Sequence, residues 1–210
     1  MIDRENRATE ERSRRILETA IELAEKGGFS AVRLRDVAEQ AGVALGTVYK
    51  RFQSKEDMLM AALEMQMNQL ESHVIAEYFE GDTSTERIVS LIELLTAWLC
   101  GKPKLARAVL RAMAAGEPAL SGKIASFRNR IDAFIVGALR NEDPGPLIEN
   151  SGLISVTELQ LAHFVQGAWF AALVGWSAEL HSDDAVVEQV REITDLLLLG
   201  QEAQAKECKR

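Results

Sequence analysis

The fold is decided by residues 33–55, RLRDVAEQAGVALGTVYKRFQSK, whose pattern predicts two short helices joined by a tight turn. Gly42 is the expected point of reversal, because glycine adopts positive φ without steric penalty. Ala38, four residues earlier, is small enough to let the two helices cross closely. Residues three or four apart share one face of a helix. The predicted inward-facing set is Leu34, Val37, Ala38, Val43, Val48 and Phe52.

The opposite face of the second helix is small at its start and polar beyond it. Thr47 and Tyr49 carry hydroxyls, while Lys50 and Arg51 carry cations. Such groups contact phosphates and base edges in the major groove of DNA. The stretch therefore predicts a DNA-binding helix-turn-helix. An ordinary helical hairpin with a solvated cationic face would show the same local pattern.

The distribution of charge favours DNA binding over that alternative. The 210-residue chain has a net charge of -8. Residues 1–55 hold 11 Lys/Arg and 9 Asp/Glu, a net +2, whereas residues 56–210 hold 13 and 23, a net -10. A mildly basic first quarter followed by an acidic remainder indicates two different tasks within one chain.

Helical periodicity continues through the rest of the chain and predicts an all-α protein of about nine helices. No run shows the sustained alternation of a strand. The segment 141–152, NEDPGPLIENSG, is predicted to be the longest loop. The expected helices lie near 10–26, 34–41, 45–52, 54–79, 83–100, 103–118, 119–140, 156–180 and 184–199.

Two stretches, ILETAIELAEKGGF and LRDVAEQAGVALGTVYKRFQSKEDML, resemble the TetR (tetracycline-repressor) family of bacterial regulators. The resemblance is strong over about residues 10–65. It implies a three-helix DNA-binding head at 1–54, with its helix-turn-helix motif at about 33–52. It also implies a larger helical domain at 55–210 that binds an effector and forms a dimer.

The resemblance places the second short helix in the major groove. Thr47, Tyr49 and Lys50 would then lie at the DNA face, and Lys55 would touch a phosphate. Many family members have Thr where this chain has Arg33, so either the guanidinium takes over a phosphate contact or the helix loses a cap. The full predicted DNA-binding set is Arg33, Arg35, Ala44, Leu45, Gly46, Thr47, Tyr49, Lys50, Arg51 and Lys55.

The first fifteen residues leave two interpretations open. Five arginines could follow a minor groove or the DNA backbone as a basic arm. Because acids are interspersed among them, the same residues could equally be a frayed terminus. The arginines in question are Arg4, Arg7, Arg12, Arg14 and Arg15.

A dimer interface is predicted on the last two helices. The segment between Glu158 and Glu179 has no Asp, Glu, Lys or Arg, and polar residues interrupt it too often for a membrane span. A helix that is apolar nearly all round needs two partners, and helix-turn-helix proteins commonly pair on two-fold sites. The alternative is that both helices serve only their own core. The predicted interface is Gly167, Ala171, Gly175, Val186, Val190, Ile193 and Leu197.

An aromatic-rich set in the second domain is the expected effector pocket, because family members enclose a small molecule in this region. Polar anchors would come from Gln160, Gln166, His163 or Arg128, although plain core packing is the better explanation for any single residue. GKPKLARAVLRAM and GWSAEL loosely resemble sterol- and lipid-catabolism repressors of the TetR type, which hints at a lipid-like or acyl-thioester effector. The predicted pocket is Leu95, Trp98, Val109, Met113, Phe127, Arg128, Ile131, Phe134, His163, Gln166, Trp169 and Phe170.

The predicted function is a homodimeric transcriptional repressor that leaves a palindromic operator when a small apolar effector binds. The sequence lacks the phosphate-loop, dinucleotide, nucleophile-elbow and zinc-protease motifs, so we expect no enzymatic activity and no cofactor or metal. With no apolar N-terminal leader and two cysteines expected to be reduced, a cytoplasmic location is predicted. The alternatives are a helical carrier of lipids or other small molecules and a protein–protein adaptor, neither of which binds DNA.

Overall fold

The computed structural model describes residues 2–76 and 79–207, which contain ten α-helices and no strand. Helical periodicity thus predicted the fold class correctly. Two 3₁₀ turns, Pro118–Leu120 and Ser151–Leu153, complete the regular structure. The helices are α1 Ile2–Gly27, α2 Leu34–Gln40, α3 Leu45–Tyr49, α4 Lys55–Ala76, α5 Ser84–Cys100, α6 Pro103–Ala114, α7 Ser121–Arg140, α8 Gly145–Glu149, α9 Val156–Ser177 and α10 Asp183–Glu207.

The described part of the chain has one α-helix more than predicted, because the expected loop at 141–152 contains α8. Two prolines explain this helix: Pro144 caps it at φ -73°, and Pro146 lies in its first turn, where a missing N–H costs nothing. Leu147 is buried and anchors the short helix. Other bounds also differ: α1 begins at Ile2 and α10 continues to Glu207, whereas α3, α4, α6 and α9 each end three or four residues earlier than expected.

Two compact units divide the fold. The first comprises Met1–Leu70 and Lys102–Ile124. In it, α1 packs on α2 and α6, and α2 packs on α3. The core of this unit includes Ile16, Ala20, Val37, Val48, Phe52, Met58 and Leu59. The predicted division at residue 54 is a functional boundary that stays a prediction; by contacts, the first unit also includes most of α4 and all of α6.

The second unit comprises Glu71–Gly101 and Ala125–Arg210, in which α10 packs on both α9 and α5. Thr83 followed three residues later by Glu86 predicts a capping box at the start of α5, and the structure has it: Thr83 accepts from the Glu86 N–H, and the Glu86 carboxylate accepts from the Thr83 N–H. A second box, which the sequence analysis did not identify, joins Ser155 and Glu158 at the start of α9. Each box satisfies backbone donors that helix geometry leaves unpaired.

Several residues discussed from the sequence lie outside what the structure describes. These are the side chains of Arg4 and Arg7, and all of Cys208, one of the two cysteines. Among the described residues, no helix is long and apolar enough to cross a membrane.

Candidate DNA-binding surface and effector region

The turn between α2 and α3 has the geometry that the sequence predicted. Gly42 adopts φ +64°. The N–H of Val43 donates to the Ala38 carbonyl at 3.0 Å, and the N–H of Gly42 donates to the Glu39 carbonyl at 3.2 Å. This pair of bonds is a Schellman motif, which ends a helix with a residue in the left-handed conformation. The motif fixes the direction in which α3 leaves the turn.

One side of α3 is buried and the other is exposed. Val48 is 0% exposed and Phe52, just beyond the helix, is 5% exposed. Tyr49, by contrast, is 58% exposed, and an added Cβ at Gly46 would meet no atom within 4 Å. A flat exposed backbone at the start of a helix allows close approach by a large partner. The exposed side therefore carries the predicted hydroxyl, phenol and cations.

All ten predicted DNA-binding residues are wholly or partly accessible. Thr47 and Lys55 are half-buried, and the other eight are exposed. Arg33, Arg35 and Lys50 have no carboxylate partner among the described residues, while Arg51 donates to the Thr9 carbonyl of α1 at 3.4 Å. Cations without an internal carboxylate remain available for an external anion.

Arg33 resolves one of the alternatives left by the sequence. It occupies the N-cap position of α2 in extended conformation, and its side chain makes no capping hydrogen bond. The helix has thus lost the cap that a Thr would supply. Since the guanidinium is exposed and is not used in capping, an outward phosphate contact is stereochemically open to it.

The N-terminal arginines belong to α1, which is helical from Ile2. Arg14 bonds Glu11 at 2.6 Å and Glu18 at 2.9 Å on the same helix. These carboxylates raise the pKa of the Arg14 guanidinium, chiefly through the hydrogen bond to Glu11. Arg14 therefore already has partners within α1 and is a weaker candidate for a DNA-binding arm.

The predicted effector residues are distributed over both units. Val109 and Met113 lie on α6 in the first unit, and the other ten belong to the second. Leu95, Ile131, Phe134, Gln166 and Trp169 are buried, as is Val109. Arg128 and His163 are exposed, and Met113, Trp98, Phe127 and Phe170 are half-buried.

A group of buried polar side chains lies between α7 and α9 in the second unit. Gln166 donates through Nε2 to the Arg128 carbonyl at 2.9 Å. His163 Nε2 is 3.0 Å from Oδ2 of Asp132, a carboxylate only 1% exposed. The other oxygen of Asp132 and the Gln166 Oε1 have no hydrogen-bond donor among the described residues. Burial raises the pKa of Asp132, against the lowering effects of His163 and Arg128.

The sequence analysis missed Asp132 and Thr96. Thr96 accepts a hydrogen bond at 2.9 Å from the indole N–H of Trp169, so this buried indole is satisfied. A polar residue within an apolar helical run was the available signal for both residues. Unpaired buried acceptors are rare in proteins, and those of Asp132 and Gln166 suit a ligand that donates hydrogen bonds.

An open groove of about 420 Å³ between α5 and α10 was also not predicted. It is acidic, with four carboxylates and one guanidinium. No group of three or more His, Cys, Asp or Glu side chains arranged to hold a metal occurs among the described residues. The groove is lined by Glu93, Thr96, Ala97, Asp183, Asp184, Val187, Glu188 and Arg191.

The predicted dimer residues divide into two groups. Gly167 and Ala171 are exposed on α9, and Gly175, Ile193 and Leu197 are half-buried. Val186 and Val190 are 0% exposed because they pack within their own subunit, so no partner can reach them. The predicted interface did not include the large exposed apolar residues of α9 and α10, which are Phe164, Val174, Leu196 and Leu199.

Comparison with known proteins agrees with this geometry. Residues 16–62 match the model of "Bacterial regulatory proteins, tetR family". The chain is 29% identical to the HTH-type transcriptional repressor KstR of Rhodococcus jostii, over 94% of this chain and 87% of that protein. It is 27% identical to KstR of Mycolicibacterium smegmatis, over 95% and 92% respectively.

Solved structures show the same fold. A TetR transcriptional regulator from Rhodococcus sp. RHA1 superposes with a TM-score of 0.73 at 22% identity, covering 90% of this chain and 96% of that one. The regulator FadR of Bacillus subtilis, solved in complex with stearoyl-CoA, gives a TM-score of 0.58 at 21% identity, with 87% and 96% covered.

The matched relatives are named as transcriptional repressors or regulators and not as enzymes, in agreement with the sequence prediction. The matched family segment contains α2 and α3 together with the Schellman turn between them. Residues 16–62 belong to the tetR family of bacterial regulatory proteins, the chain as a whole is similar to the KstR repressors, and the chain is a DNA-binding transcriptional regulator.

Proposed function

We propose that the chain is a homodimeric repressor in the cytoplasm that binds a palindromic DNA operator and is released by a small apolar effector. The observation that carries the proposal is the two-sided character of α3. Its apolar side is buried at Val48, and its hydroxyls and cations are accessible. In a dimer, two such helices would enter successive major grooves roughly 34–36 Å apart.

Dimerisation is supported by the apolar surface on α9 and α10. Phe164 is 62% exposed, Leu196 is 66% exposed and Leu199 is 64% exposed. Gly167 and Ala171 form a low ridge among them, which permits close packing of helices. We propose that this surface pairs with the same surface of a second copy, as two-fold interfaces do. Val186 and Val190 are left out of the proposed interface.

An effector with a long apolar part and hydrogen-bond donors fits the second unit. This unit contains buried aromatic and aliphatic side chains together with the buried Asp132 and Gln166 and with His163, which faces Asp132. The B. subtilis FadR structure contains stearoyl-CoA, which supports a lipid-like or acyl-thioester compound. The effector would act by binding one conformation better than another. Helix α4 contributes residues to both units and would carry the change to the DNA-binding surface.

The first test is selection of bound sequences from a random DNA pool by the full chain. A palindromic product with half-sites about one helical turn apart supports a dimer with two recognition helices. A product without symmetry contradicts it. The operator obtained in this way then serves for the variants. Stearoyl-CoA is the first effector probe, and release of operator DNA on its addition supports the proposed class.

Three substitutions then test the DNA face directly. Lys50→Ala, Tyr49→Ala and Lys55→Ala should each weaken operator binding, because phosphate and base contacts are lost. Lys55→Ala should also reduce the salt dependence, whereas Thr47→Ala should change sequence preference. Val156→Ala, at an exposed residue of α9, is a control that should bind as the wild type does. Wild-type affinity in the first three variants would disprove the assigned face.

A further inference from the structure

Phe29, in the connection between α1 and α2, is contacted by two cations. The Lys55 ammonium lies 3.8 Å from the centroid of its ring, and the Arg111 guanidinium carbon lies 4.3 Å from the same centroid. Cations within about 6 Å of an aromatic face are attracted by the ring quadrupole. The two charged groups are therefore no more than about 8 Å apart. They come from different helices, α4 and α6.

Neither cation has a carboxylate partner among the described residues. Lys55 is half-buried and Arg111 is exposed. The neighbouring basic residues of α6 are used otherwise: Lys102 pairs with Glu25 at 2.6 Å, and Lys104 donates to the Lys26 carbonyl at 2.9 Å. These contacts tie α6 to the end of α1 and so fix Arg111 beside Phe29. Two like charges are thus held close together, and no carboxylate among the described residues neutralises them.

We propose that Arg111 is a second phosphate-binding cation beside Lys55, and that Phe29 is the positioning residue for both. This inference rests on the proposed phosphate contact of Lys55. Phosphates on one DNA strand succeed each other every 3.4 Å of helix axis, so cations about 8 Å apart can contact neighbouring phosphates. The DNA-binding surface then includes α6, well beyond the helix-turn-helix in sequence. An ordered cation also loses less side-chain entropy on binding than a free one.

The test is the salt dependence of DNA binding by full-length Arg111→Gln. The probes are the selected operator duplex and an unrelated duplex of equal length, titrated by fluorescence anisotropy between about 50 and 300 mM salt. We expect both affinities to fall by a similar factor, roughly tenfold at the low-salt end, and the magnitude of the log–log slope to fall by about 0.9. Arg111→Lys should restore most of the slope.

Lys26→Gln is the matched control, because it removes one exposed positive charge of the same unit from a side chain that already pairs with Glu22 on α1. Its slope should stay at the wild-type value. An equal slope for Arg111→Gln and wild type would overturn the inference. If Lys50→Ala and Lys55→Ala still weaken binding in that case, only the inference about Arg111 fails and the proposed DNA face stands. If these two variants also bind normally, the proposed function fails as well.

Phe29 is tested by a pair of substitutions. Phe29→Tyr keeps an aromatic face and should retain the wild-type affinity and slope. Phe29→Leu removes the ring and should weaken binding to both duplexes, with a smaller slope of log affinity against log salt. Thermal melting followed by circular dichroism should show that its stability is close to that of Phe29→Tyr. Binding by Phe29→Leu equal to that of Phe29→Tyr would contradict the positioning role.

Discussion

The two compact units leave opposite kinds of group exposed. Around α2 and α3, Arg33, Arg35 and Lys50 are exposed without carboxylate partners among the described residues. In the second unit, guanidinium groups are used within the fold: Arg140 pairs with Glu158 at 2.7 Å and Arg130 with Glu71 at 2.8 Å.

The apolar side chains show the reverse arrangement. The helix-turn-helix buries Val37, Ala38 and Val48, whereas α9 and α10 expose Phe164, Leu196 and Leu199. Exposed apolar patches and unpaired cations each indicate the chemistry of a partner. This contrast supports the proposal that the first unit binds a polyanion and that the second unit pairs through its apolar surface.

The largest effect is expected from a charge placed on the apolar surface. Ala171→Glu should convert the dimer to a monomer, because a carboxylate cannot be desolvated in a packed helical interface without a partner. In a monomer the two DNA-binding heads are no longer linked, so operator binding should weaken on the order of a hundredfold or more. Light scattering after size-exclusion chromatography measures the oligomeric state, and fluorescence anisotropy measures the affinity for the operator.

Leu153→Glu is the control for that substitution. Leu153 is 52% exposed on the 3₁₀ turn before α9, outside the proposed interface. It should remain a dimer with normal operator affinity. A dimeric Ala171→Glu protein would contradict the proposal that the apolar surface of the second unit is the dimer interface.

A medium effect is expected at the Arg140–Glu158 pair. The hydrogen bond from Arg140 is the main cause that lowers the pKa of Glu158 from 4.5 to about 2. A carboxyl with a lowered folded pKa stabilises the fold above its unfolded pKa, and this contribution disappears as the pH falls from about 4.5 towards 2. Glu158→Gln should therefore reduce the free energy of unfolding at pH 7 by about 2–3 kcal/mol.

Urea denaturation at a series of pH values measures this difference. The difference in unfolding free energy between wild type and Glu158→Gln should decrease once the pH drops below about 4.5. A gap that stays constant down to pH 3 would show that the pair contributes nothing through its charge. Glu142→Gln is a suitable control, since Glu142 is exposed and lies 3.9 Å from Arg140.

A smaller effect is expected at the turn before α3. Gly42 adopts φ +64°, and an added Cβ would meet no atom within 4 Å. Gly42→Ala should therefore cost only the conformational penalty, about 1 kcal/mol of unfolding free energy. Operator affinity at a temperature well below the melting transition should change little. A large loss of affinity at unchanged stability would show that the turn itself contacts DNA.

The sequence predicted the helix-turn-helix well because its signals are local. A glycine at the reversal, apolar residues one helical turn apart and a polar opposite face are all readable within 23 residues. The same holds for the Thr83–Glu86 capping box. Val186 and Val190 show the limit: periodicity identifies an apolar face without saying whether it packs inside one subunit or against another.

Contacts between residues distant in sequence could not be predicted. Arg111 and Phe29 are 82 positions apart, and the local sequence around either residue does not predict that one ring contacts both Arg111 and Lys55. The contact between the buried Asp132 and the exposed His163 could not be predicted for the same reason. Short-range rules describe turns and caps, whereas tertiary pairing depends on how helices are placed.

The placement of the indoles has a practical consequence. All three tryptophans, Trp98, Trp169 and Trp176, belong to the second unit, and Trp169 is buried with its N–H held by Thr96. Tryptophan fluorescence, excited at a wavelength that Tyr49 does not absorb, therefore originates entirely in that unit. Emission that shifts when only DNA is titrated would be a direct optical signature of communication between the operator and the second unit.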